Sequence, residues 1–367
     1  MVQNLLISFV ITNLSILVGY SIYFFSKLTS FKSKAVSFNK PISIVICAKN
    51  EADNLKKFLP KVLEQDYPEF EVVVVNDQSI DGTAAILKNF EKSYPKLVIV
   101  TIDEHIKHWP GKKFALTLGI KTAKHEYLLL TDADCLPNSS NWAKQMSSNF
   151  NNSEIVLGFG GYQKRKGLLN KIIRFDTFNV AKQYLSYALA GFTYMGVGRN
   201  MAYKKSLFFE NKGFAKHLHI PSGDDDLFIQ EVANKDNVSV EIVADTHTTS
   251  TVIETWKDWS YQKRRHITTA PLYKTKFKIL LAVYPYAQFF FWTAIIILFV
   301  LKAPIAITTT ILGLKLLTSY LINYKPMKQL NTIDLYWIHP IYEVMYLLVQ
   351  GFFVLLNVVN KPKKWSR

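Results

Sequence analysis

Cysteine is scarce in this sequence. Only Cys47 and Cys135 occur among its 367 residues, and two cysteines so far apart in the chain cannot form a disulfide framework. Their scarcity favours a reducing compartment, where we expect both thiols to be buried. Internal repeats and low-complexity tracts are also absent from the sequence, and 49% hydrophobic against 20% charged residues excludes a disordered polar chain.

Acidic residues are fewer than basic ones. The chain has 28 Asp and Glu against 44 Lys and Arg, which gives a formal net charge of +16. This excess permits nucleic acid, anionic lipid or a phosphorylated small molecule as a partner, and charge alone does not choose among them.

Charge is missing altogether from residues 1–26, which contain an apolar stretch long enough to cross a bilayer as a helix. A secretory signal would begin with Lys or Arg and end at a short cleavage site of small residues, and neither feature is present. We therefore expect residues 1–26 to be an uncleaved transmembrane anchor.

Further apolar runs lie near the other end of the chain. They are residues 279–301, 303–324 and 335–359. They predict two to three transmembrane helices, and Pro304 predicts a tight hairpin between the first two. Lys315 and Glu343 interrupt the second and third runs.

Basic residues predict which side of the membrane the segment between these runs occupies. Lysines cluster after the first apolar run and before the second, and such clusters stay on the cytoplasmic side. They are Lys27, Lys32, Lys34, Lys40, Lys274, Lys276 and Lys278. The tail at residues 361–367 is also basic, but three full crossings after the domain would place it on the opposite side. Residues 335–359 could therefore be re-entrant or lie in the interface instead of crossing, and the sequence leaves this open.

Short apolar strands alternate with helical patterns between the membrane runs. The first strand and helix are residues 42–47 and 52–64, and the alternation continues to a fourth strand at residues 127–130. This order predicts an α/β fold with a mostly parallel, doubly wound sheet. The expected organisation is an anchor at 1–26, a cytosolic domain at 27–253, an amphipathic interfacial region at 254–278, transmembrane helices at 279–360 and a basic tail at 361–367.

Carboxylates follow several strands, at the sheet edge where parallel folds bind ligands. Asp132 and Asp134 come after the fourth strand, and in an extended segment residues two apart point to the same face. Two such oxygen donors suit Mg²⁺ or Mn²⁺ together with substrate phosphates. The alternative is that Asp-x-Asp is a short, common pattern without a metal. The histidines that could complete a metal shell, or be ordinary polar residues, are His217, His219 and His247.

Other polar residues near this edge have two interpretations each. Asp77, at a strand end, predicts a bond to a ligand, whereas an Asx turn with Gly82 at a positive φ explains Asp81 and Gly82. Glu51 would bind a ligand or cap the helix that follows it. Lys112, at the start of a helix, would meet a diphosphate or belong to a solvated basic turn.

The densest acidic cluster is the run of Asp224, Asp225 and Asp226, which begins an amphipathic stretch. Acidic residues at a helix start ordinarily cap it. Three in a row exceed what one cap requires, so one carboxylate is a candidate general base for an acceptor hydroxyl.

A helical stretch at residues 254–268 ends the predicted domain. Its aromatic residues, which suit a membrane–water interface, are Trp256, Trp259 and Tyr261. Lys263 and Arg264 on the same stretch are explained equally by anchoring to anionic lipid and by catalysis.

Six motifs in this order resemble those of the inverting family 2 glycosyltransferases. They are Cys47-Ala-Lys-Asn-Glu51, Asn76-Asp77 with Asp81-Gly82-Thr83, Gly111-Lys112, Thr131-Asp132-Ala-Asp134, Gly223-Asp224-Asp225 and Gln262-x-x-Arg265. The resemblance covers about residues 40–270 and implies a GT-A nucleotide-sugar domain. One apolar helix before it and several after it also resemble the membrane plan of ceramide glucosyltransferase and of the cellulose, chitin and hyaluronan synthases.

The resemblance implies roles on the donor side. Glu51 and Asp77 would hold the nucleoside, and Lys112 would lie near the nucleotide. Asp132 and Asp134 would bind Mg²⁺ or Mn²⁺ and the diphosphate.

On the acceptor side, the resemblance implies that Asp224 and Asp225 form the acidic pair, with Asp225 the base. Asp226 leaves this register open by one residue. Gln262 and Arg265 match the last motif, in which a histidine replaces the tryptophan usual in the family.

The implied function is a membrane-bound transferase of a hexose or N-acetylhexosamine from a nucleotide-diphosphate sugar, with UDP the expected nucleotide, to a hydroxyl of a lipid acceptor. A processive polysaccharide synthase is one alternative, and a non-catalytic, membrane-anchored nucleotide-binding protein is another. Nucleic acid is not an expected partner, because the positive charge is spread and the sheet edge is acidic. The expected location is a bacterial-type inner or plasma membrane, with the catalytic domain facing the cytoplasm.

Overall fold

The structure is a computed structural model that describes residues 1–33, 36–103 and 111–362. Lys34 and most of the basic tail predicted at residues 361–367 lie outside the described residues. The helices are α1 (Val2–Thr29), α2 (Ala52–Leu63), α3 (Thr83–Ser93), α4 (Lys113–Thr122), α5 (Trp142–Ser147), α6 (Leu168–Leu189), α7 (Lys205–Glu210), α8 (Asp226–Val232), α9 (Trp256–Ile267), α10 (Thr275–Val300), α11 (Ile305–Gln329) and α12 (His339–Val359). A 3₁₀ turn, Ile333–Ile338, leads into α12.

The described strands form two sheets. They are β1 (Ile42–Ala48), β2 (Phe70–Asp77), β3 (Leu97–Ile102), β4 (Tyr127–Asp132), β5 (Cys135–Pro137), β6 (Ile155–Leu157), β7 (Gly160–Tyr162), β8 (Met201–Lys204), β9 (Val238–Val240) and β10 (Thr248–Ser250). The larger sheet has the order β3-β2-β1-β4-β8-β6-β9, and a smaller one has the order β5-β10-β7. Strands β1 to β4 are parallel, and β8 runs antiparallel to both of its neighbours. The predicted mostly parallel α/β fold is confirmed.

Alternating side chains explain why helices cover both faces of the larger sheet. Val45 and Val73 pack on one face with α4, while Ile44 and Val72 pack on the other face with α2 and α3. Burial on both faces is what makes these strands continuous apolar runs. Gly119 lets α4 approach closely, because a Cβ there would lie 2.7 Å from the Val45 side chain.

Helix α6 was not predicted from the sequence. It is 22 residues long and buried on most sides, with charged residues that interrupt the helical apolar pattern. The three buried ones have partners: Arg174 pairs with Asp334 at 2.6 Å, Asp176 pairs with Lys263 at 2.8 Å, and the Lys182 ammonium donates to Asn323. Since these partners lie on C-terminal segments of the chain, α6 joins the α/β domain to the apolar helices.

Four helical segments are long and apolar enough to cross a membrane. They are Val2–Thr29, Thr275–Val300, Ile305–Gln329 and Ile333–Val359. The four apolar runs predicted from the sequence therefore form helices. Three of them pack into one bundle, in which Leu14 of α1 shares a buried cluster with Phe291 of α10 and Ile311 of α11. The hairpin predicted at Pro304 joins α10 to α11.

Candidate active site

The candidate site lies at the carboxyl ends of the parallel strands. Cys47, near the end of β1, is in register with Asp132 on β4, and Ala48 is in register with Asn76 on β2. This register brings Asp132 and Asp77, each the last residue of its strand, to the same edge. The sequence-based expectation that these carboxylates share one edge of the sheet is met.

Two turns at this edge are held together by the Asp81 side chain. The Asp81 carboxylate accepts from the backbone N–H groups of Ala52 and Thr83, and so caps both α2 and α3. Burial opposes ionisation of Asp81, but the bonds from Thr83 outweigh it and lower its pKa. Gly82 has φ −72°, so the predicted positive φ at this residue is wrong. The positive φ, 51°, occurs at Gln78 directly after β2.

Glu51 and Asp77 flank this turn region. Glu51 occupies the N-cap position of α2, but its carboxylate makes no side-chain capping hydrogen bond and accepts from the Asn54 side-chain amide at 2.6 Å. Asp77 is 1% exposed, and the Lys49 ammonium lies 3.8 Å from it.

The Asp-x-Asp residues come together through a turn. Asp132 ends β4, but Asp134 lies in the turn before β5, so the expected extended segment is not what aligns them. Their carboxylate oxygens and the Cys135 sulfur lie within 4.8 Å of one another. Burial and Asp134 raise the pKa of the Cys135 thiol, so the two carboxylates are the donors that fit a hard divalent cation. Within the described residues this group contains no histidine.

The histidines have other surroundings. The His247 ring lies against Phe159 and its Nε2 is 3.0 Å from the carbonyl of Ile242. His217 is buried, and burial together with the nearby Lys113 lowers its pKa to about 4. Neither residue completes the carboxylate group.

Lys112 and Lys113 are both buried, so the solvated-turn interpretation is wrong. The Lys112 ammonium donates to Asp132. Burial opposes its charge, but the carboxylates of Asp132 and Asp224 raise its pKa well above the usual value. Lys112 therefore links the Asp-x-Asp carboxylates to the acidic run.

Lys113 points away from Lys112 and holds the loop before the acidic run. Its ammonium donates to the carbonyls of His217, at 2.7 Å, and Ile220, at 3.2 Å. Burial lowers the pKa of Lys113 to about 8. Gly111, at φ +110°, lies against Pro221 of the same loop, where a Cβ would come within 2.6 Å of the Pro221 carbonyl.

The carboxylates of the acidic run have different hydrogen-bond partners. Asp226 accepts from the hydroxyls of Thr269 at 2.5 Å and Tyr273 at 2.6 Å, so it fixes α8 to the segment after α9. Asp225 accepts from the backbone N–H of Gly198 at 3.1 Å and caps α8. The extra residue that left the register open thus has a structural role.

Gly198 marks the point where the separate motifs meet. A Cβ built on it would lie 3.6 Å from Asp224, 3.7 Å from the Lys112 ammonium and 3.9 Å from Asp225. Burial and the neighbouring carboxylates, Asp224 first, raise the pKa of Asp225 to about 8. A carboxyl group with such a pKa can accept a proton near neutral pH.

Helix α9 brings the last motif to the site. Gln262 accepts from the Tyr162 hydroxyl at 3.2 Å. Burial lowers the pKa of Arg265, and the carboxylates of Asp224 and Asp225 offset part of this effect, so the guanidinium is within electrostatic range of the acidic run.

Other residues of α9 bind the protein itself. Lys263 pairs with the buried Asp176, and Arg264 donates to Asn357 at 3.0 Å. These bonds account for Lys263 and Arg264 without a contact to anionic lipid. Trp259 is also buried, 5.5 Å from the Phe353 ring, whereas Trp256 is 50% exposed.

Cys47 and Arg199 were not singled out as site residues. Cys47 is buried beside Lys112 and Asp132, and burial raises the pKa of its thiol to about 12. The Arg199 guanidinium stacks 4.7 Å from the ring centre of Tyr162, next to the acceptor-side motif.

Comparisons with known proteins agree with this geometry. Residues 43–210 match the family model described as glycosyl transferase family 2. A poly-β-1,6-N-acetyl-D-glucosamine synthase of Staphylococcus epidermidis is 34% identical over 124 residues, covering 32% of this chain and 29% of that protein. A 4,4′-diaponeurosporenoate glycosyltransferase of Staphylococcus haemolyticus is 36% identical over 124 residues, covering 34% of this chain and 32% of that protein. The match thus spans about a third of the length of these relatives.

The fold has a solved counterpart. A mannosyltransferase of Pyrobaculum calidifontis, solved with GDP-Man and Mn²⁺, superposes with a TM-score of 0.57 at 18% identity, covering 92% of this chain and 97% of that chain. The shared motifs, the sheet order and these comparisons together establish that the chain carries a family 2 glycosyltransferase domain with the GT-A fold, joined to apolar helices that fit a membrane.

Proposed function

We propose that this protein is a membrane-bound inverting glycosyltransferase that moves a hexose or N-acetylhexosamine from a nucleotide-diphosphate sugar to a hydroxyl of a lipid acceptor. The observation that carries the proposal is the meeting of Lys112, Asp224 and Asp225 around Gly198, with Asp132 bound to Lys112. Groups that would hold a diphosphate and a group that would take a proton thus meet around one glycine.

The donor would lie along the ends of β1, β2 and β4. Glu51 and Asp77 would hold the nucleoside, with UDP the expected nucleotide, and Lys112 would lie beside the diphosphate. Asp132 and Asp134 would hold Mg²⁺ or Mn²⁺, which when bound neutralises charge on the departing diphosphate. A fold counterpart was solved with Mn²⁺ and a nucleotide sugar, which supports this assignment.

Asp225 would be the general base. Its bonds to two backbone N–H groups fix the carboxylate in place, and its raised pKa suits proton transfer near neutral pH. A single in-line displacement with Asp225 opposite the leaving group inverts the anomeric carbon. Arg265 and Lys112 would stabilise the negative charge that develops on the diphosphate.

A lipid acceptor is supported by the position of α9. This helix carries Gln262 and Arg265 and packs through Trp259 on the apolar helix α12. An acceptor hydroxyl at a membrane surface would therefore reach the site from the same side as Gln262. We assign the domain to the cytoplasmic face of a plasma membrane, because lysines flank both α1 and α10.

Polysaccharide synthesis is the second candidate, because one relative is named as a poly-β-1,6-N-acetyl-D-glucosamine synthase. Three or four apolar helices offer little material for a polymer channel, and this favours single transfer.

The test is turnover by the purified full-length chain in detergent, with UDP- and GDP-sugars, Mg²⁺ or Mn²⁺ and lipid extracts. We expect sugar transfer to lipid, loss of transfer in Asp225→Asn with donor binding retained, and unchanged turnover in the control Asp236→Asn, an exposed loop acid. Products that lengthen with time would support the synthase. Donor binding without turnover under every condition would contradict an enzymatic function.

A further inference from the structure

The last apolar segment, Ile333–Val359, is long enough to cross a membrane. A helix that crosses must place its two ends on opposite sides of the bilayer, about 30 Å apart. The contacts of the two ends of this segment with the α/β domain test whether it crosses.

The beginning of the segment is bound to the domain. Asp334 accepts from both terminal nitrogens of Arg174, at 2.8 and 2.6 Å, and lies 3.2 Å from the Lys164 ammonium. Arg174 also donates to the carbonyl of Asn331 at 3.0 Å. The turn before α12 is thus held at α6 and also packs on α11, where the Tyr336 hydroxyl donates to the carbonyl of Tyr320.

The end of the segment is bound to the same domain. Asn357 accepts from Arg264 at 3.0 Å and donates to the Arg264 carbonyl at 2.8 Å. Arg264 donates again to the carbonyl of Asn360, beyond the helix. Because α9 follows β10 of the domain after five residues, both ends of α12 meet polar groups of the α/β domain.

The middle of α12 lies across α6. The Tyr342 ring is 5.3 Å from Phe175, and Phe353, three turns later, packs with Ile173. By contrast, at the opposite end of the bundle, farthest from the α/β domain, the Gln3 side-chain amide donates to the carbonyl of Leu301.

The outer face of α12 is apolar and uncovered. Five of the seven exposed large apolar side chains of α12 recur at helical spacing on this face: Ile341, Leu348, Phe352, Leu355 and Val359, from 56% to 87% exposed. The one acidic residue of the helix, Glu343, points the other way and pairs with Lys315 of α11 at 2.5 Å. Trp337, 78% exposed, lies beside Tyr320 of α11, so the apolar face continues into a membrane-spanning helix through aromatic residues typical of the interface.

We infer that α12 does not cross the membrane but lies in the interface, with this apolar face bound to the lipid surface on the side of the catalytic domain. The chain then crosses three times, through α1, α10 and α11, and residue 361 lies on the same side as the domain. This accounts for the basic residues at the end of the sequence, which three later crossings would have misplaced. The inference rests on contacts alone and holds whether or not the proposed function is correct.

Single cysteines on the full-length chain test the topology. The native cysteines are both buried, so the unaltered chain is the control for background labelling. Lys92→Cys reports the domain, Lys302→Cys the hairpin and Lys361→Cys the end of α12, and all three positions are exposed. Sealed membrane vesicles are treated with an impermeant maleimide before and after permeabilisation.

We expect Lys361→Cys and Lys92→Cys to be labelled in the same vesicle orientation and Lys302→Cys in the opposite one. Labelling of Lys361→Cys together with Lys302→Cys would overturn the inference, and so would labelling of all three on one side.

Depth in the bilayer separates an interfacial helix from a re-entrant one. A fluorophore on Leu348→Cys of α12 is compared with one on Leu314→Cys of α11, using lipids brominated near the headgroup or near the chain end. We expect stronger quenching from the shallow bromines for Leu348→Cys and from the deep bromines for Leu314→Cys. Equal depth at the two positions would overturn the inference.

Discussion

The buried lysine of α4 gives the most specific prediction about how the site is held in shape. Lys113 is 2% exposed and donates to two carbonyls of the loop before the acidic run. Its burial has a cost, because the pKa falls from 10.5 to about 8. At 1.36 kcal/mol for each pH unit, the charged form is disfavoured by about 3 kcal/mol.

Replacing this lysine by methionine removes both a stabilising and a destabilising contribution to the free energy of unfolding. Lys113→Met keeps an unbranched stem, leaves two carbonyls without a donor at about 1–3 kcal/mol each, and removes the burial cost of the charge. We therefore expect the midpoint of thermal unfolding at pH 7 to change little. The loop before Asp224 loses its attachment, so donor affinity and turnover should fall at least tenfold.

The lowered pKa of Lys113 also predicts the direction in which folding stability changes with pH. Between about pH 8 and 10.5 the unfolded chain keeps the Lys113 proton while the folded chain loses it, so this residue adds stability as pH rises. The thermal midpoint of the wild type should rise relative to that of Lys113→Met over this range, by the equivalent of up to about 3 kcal/mol. Lys121→Met, an exposed lysine on the same helix, is the control. The reasoning is refuted if both variants show the same pH dependence, or if Lys113→Met turns over normally.

Three further predictions follow from single interactions. Because the pKa of Asp225 is raised to about 8, kcat/KM for the free enzyme should rise steeply between pH 6 and 8; a flat profile would exclude Asp225 as the base. Asp81→Ala removes the caps of two helices and should lower stability by about 1–2 kcal/mol in thermal unfolding near pH 7. Since the pKa of Asp81 is lowered, the difference from the wild type should vanish as pH falls through that pKa, and a difference that persists in acid would contradict the capping role. Lys263→Met leaves the buried Asp176 carboxylate without its ion-pair partner and should lower the free energy of unfolding by about 3–5 kcal/mol. The double variant with Asp176→Leu should recover much of this stability. Equal losses in the single and double variants would show that the two residues do not act as a pair.

Much of the α/β domain could be predicted from its sequence because local patterns and tertiary structure agree there. The strands β1 and β2 and the middle of β4 are apolar runs buried on both faces, and β1, α2 and β4 begin at the predicted residues 42, 52 and 127. The candidate site followed from the rule that ligands bind at the ends of parallel strands. Asp77, Asp132 and Asp134 stand there in the structure.

What the sequence did not predict depends on contacts between distant segments. Helix α6 carries charged residues that no periodicity explains, since their partners, such as Asp334 for Arg174, are far along the chain. The burial of Lys112 and Lys113 likewise depends on a loop about a hundred residues away. Asp226 left the register of the acidic pair open, because the hydroxyls that bind it, on Thr269 and Tyr273, lie more than forty residues along the chain.

The central claim is that the Asp-x-Asp carboxylates and a divalent cation together hold a nucleotide diphosphate. Calorimetric titration of UDP, and in parallel GDP, into the detergent-solubilised chain with and without Mn²⁺ tests it most directly. The account predicts that Mn²⁺ strengthens binding of one nucleotide at least tenfold, that Asp134→Asn abolishes this gain, and that Asp225→Asn retains it. Nucleotide affinity that is the same with Mn²⁺, with chelator and in Asp134→Asn would contradict it.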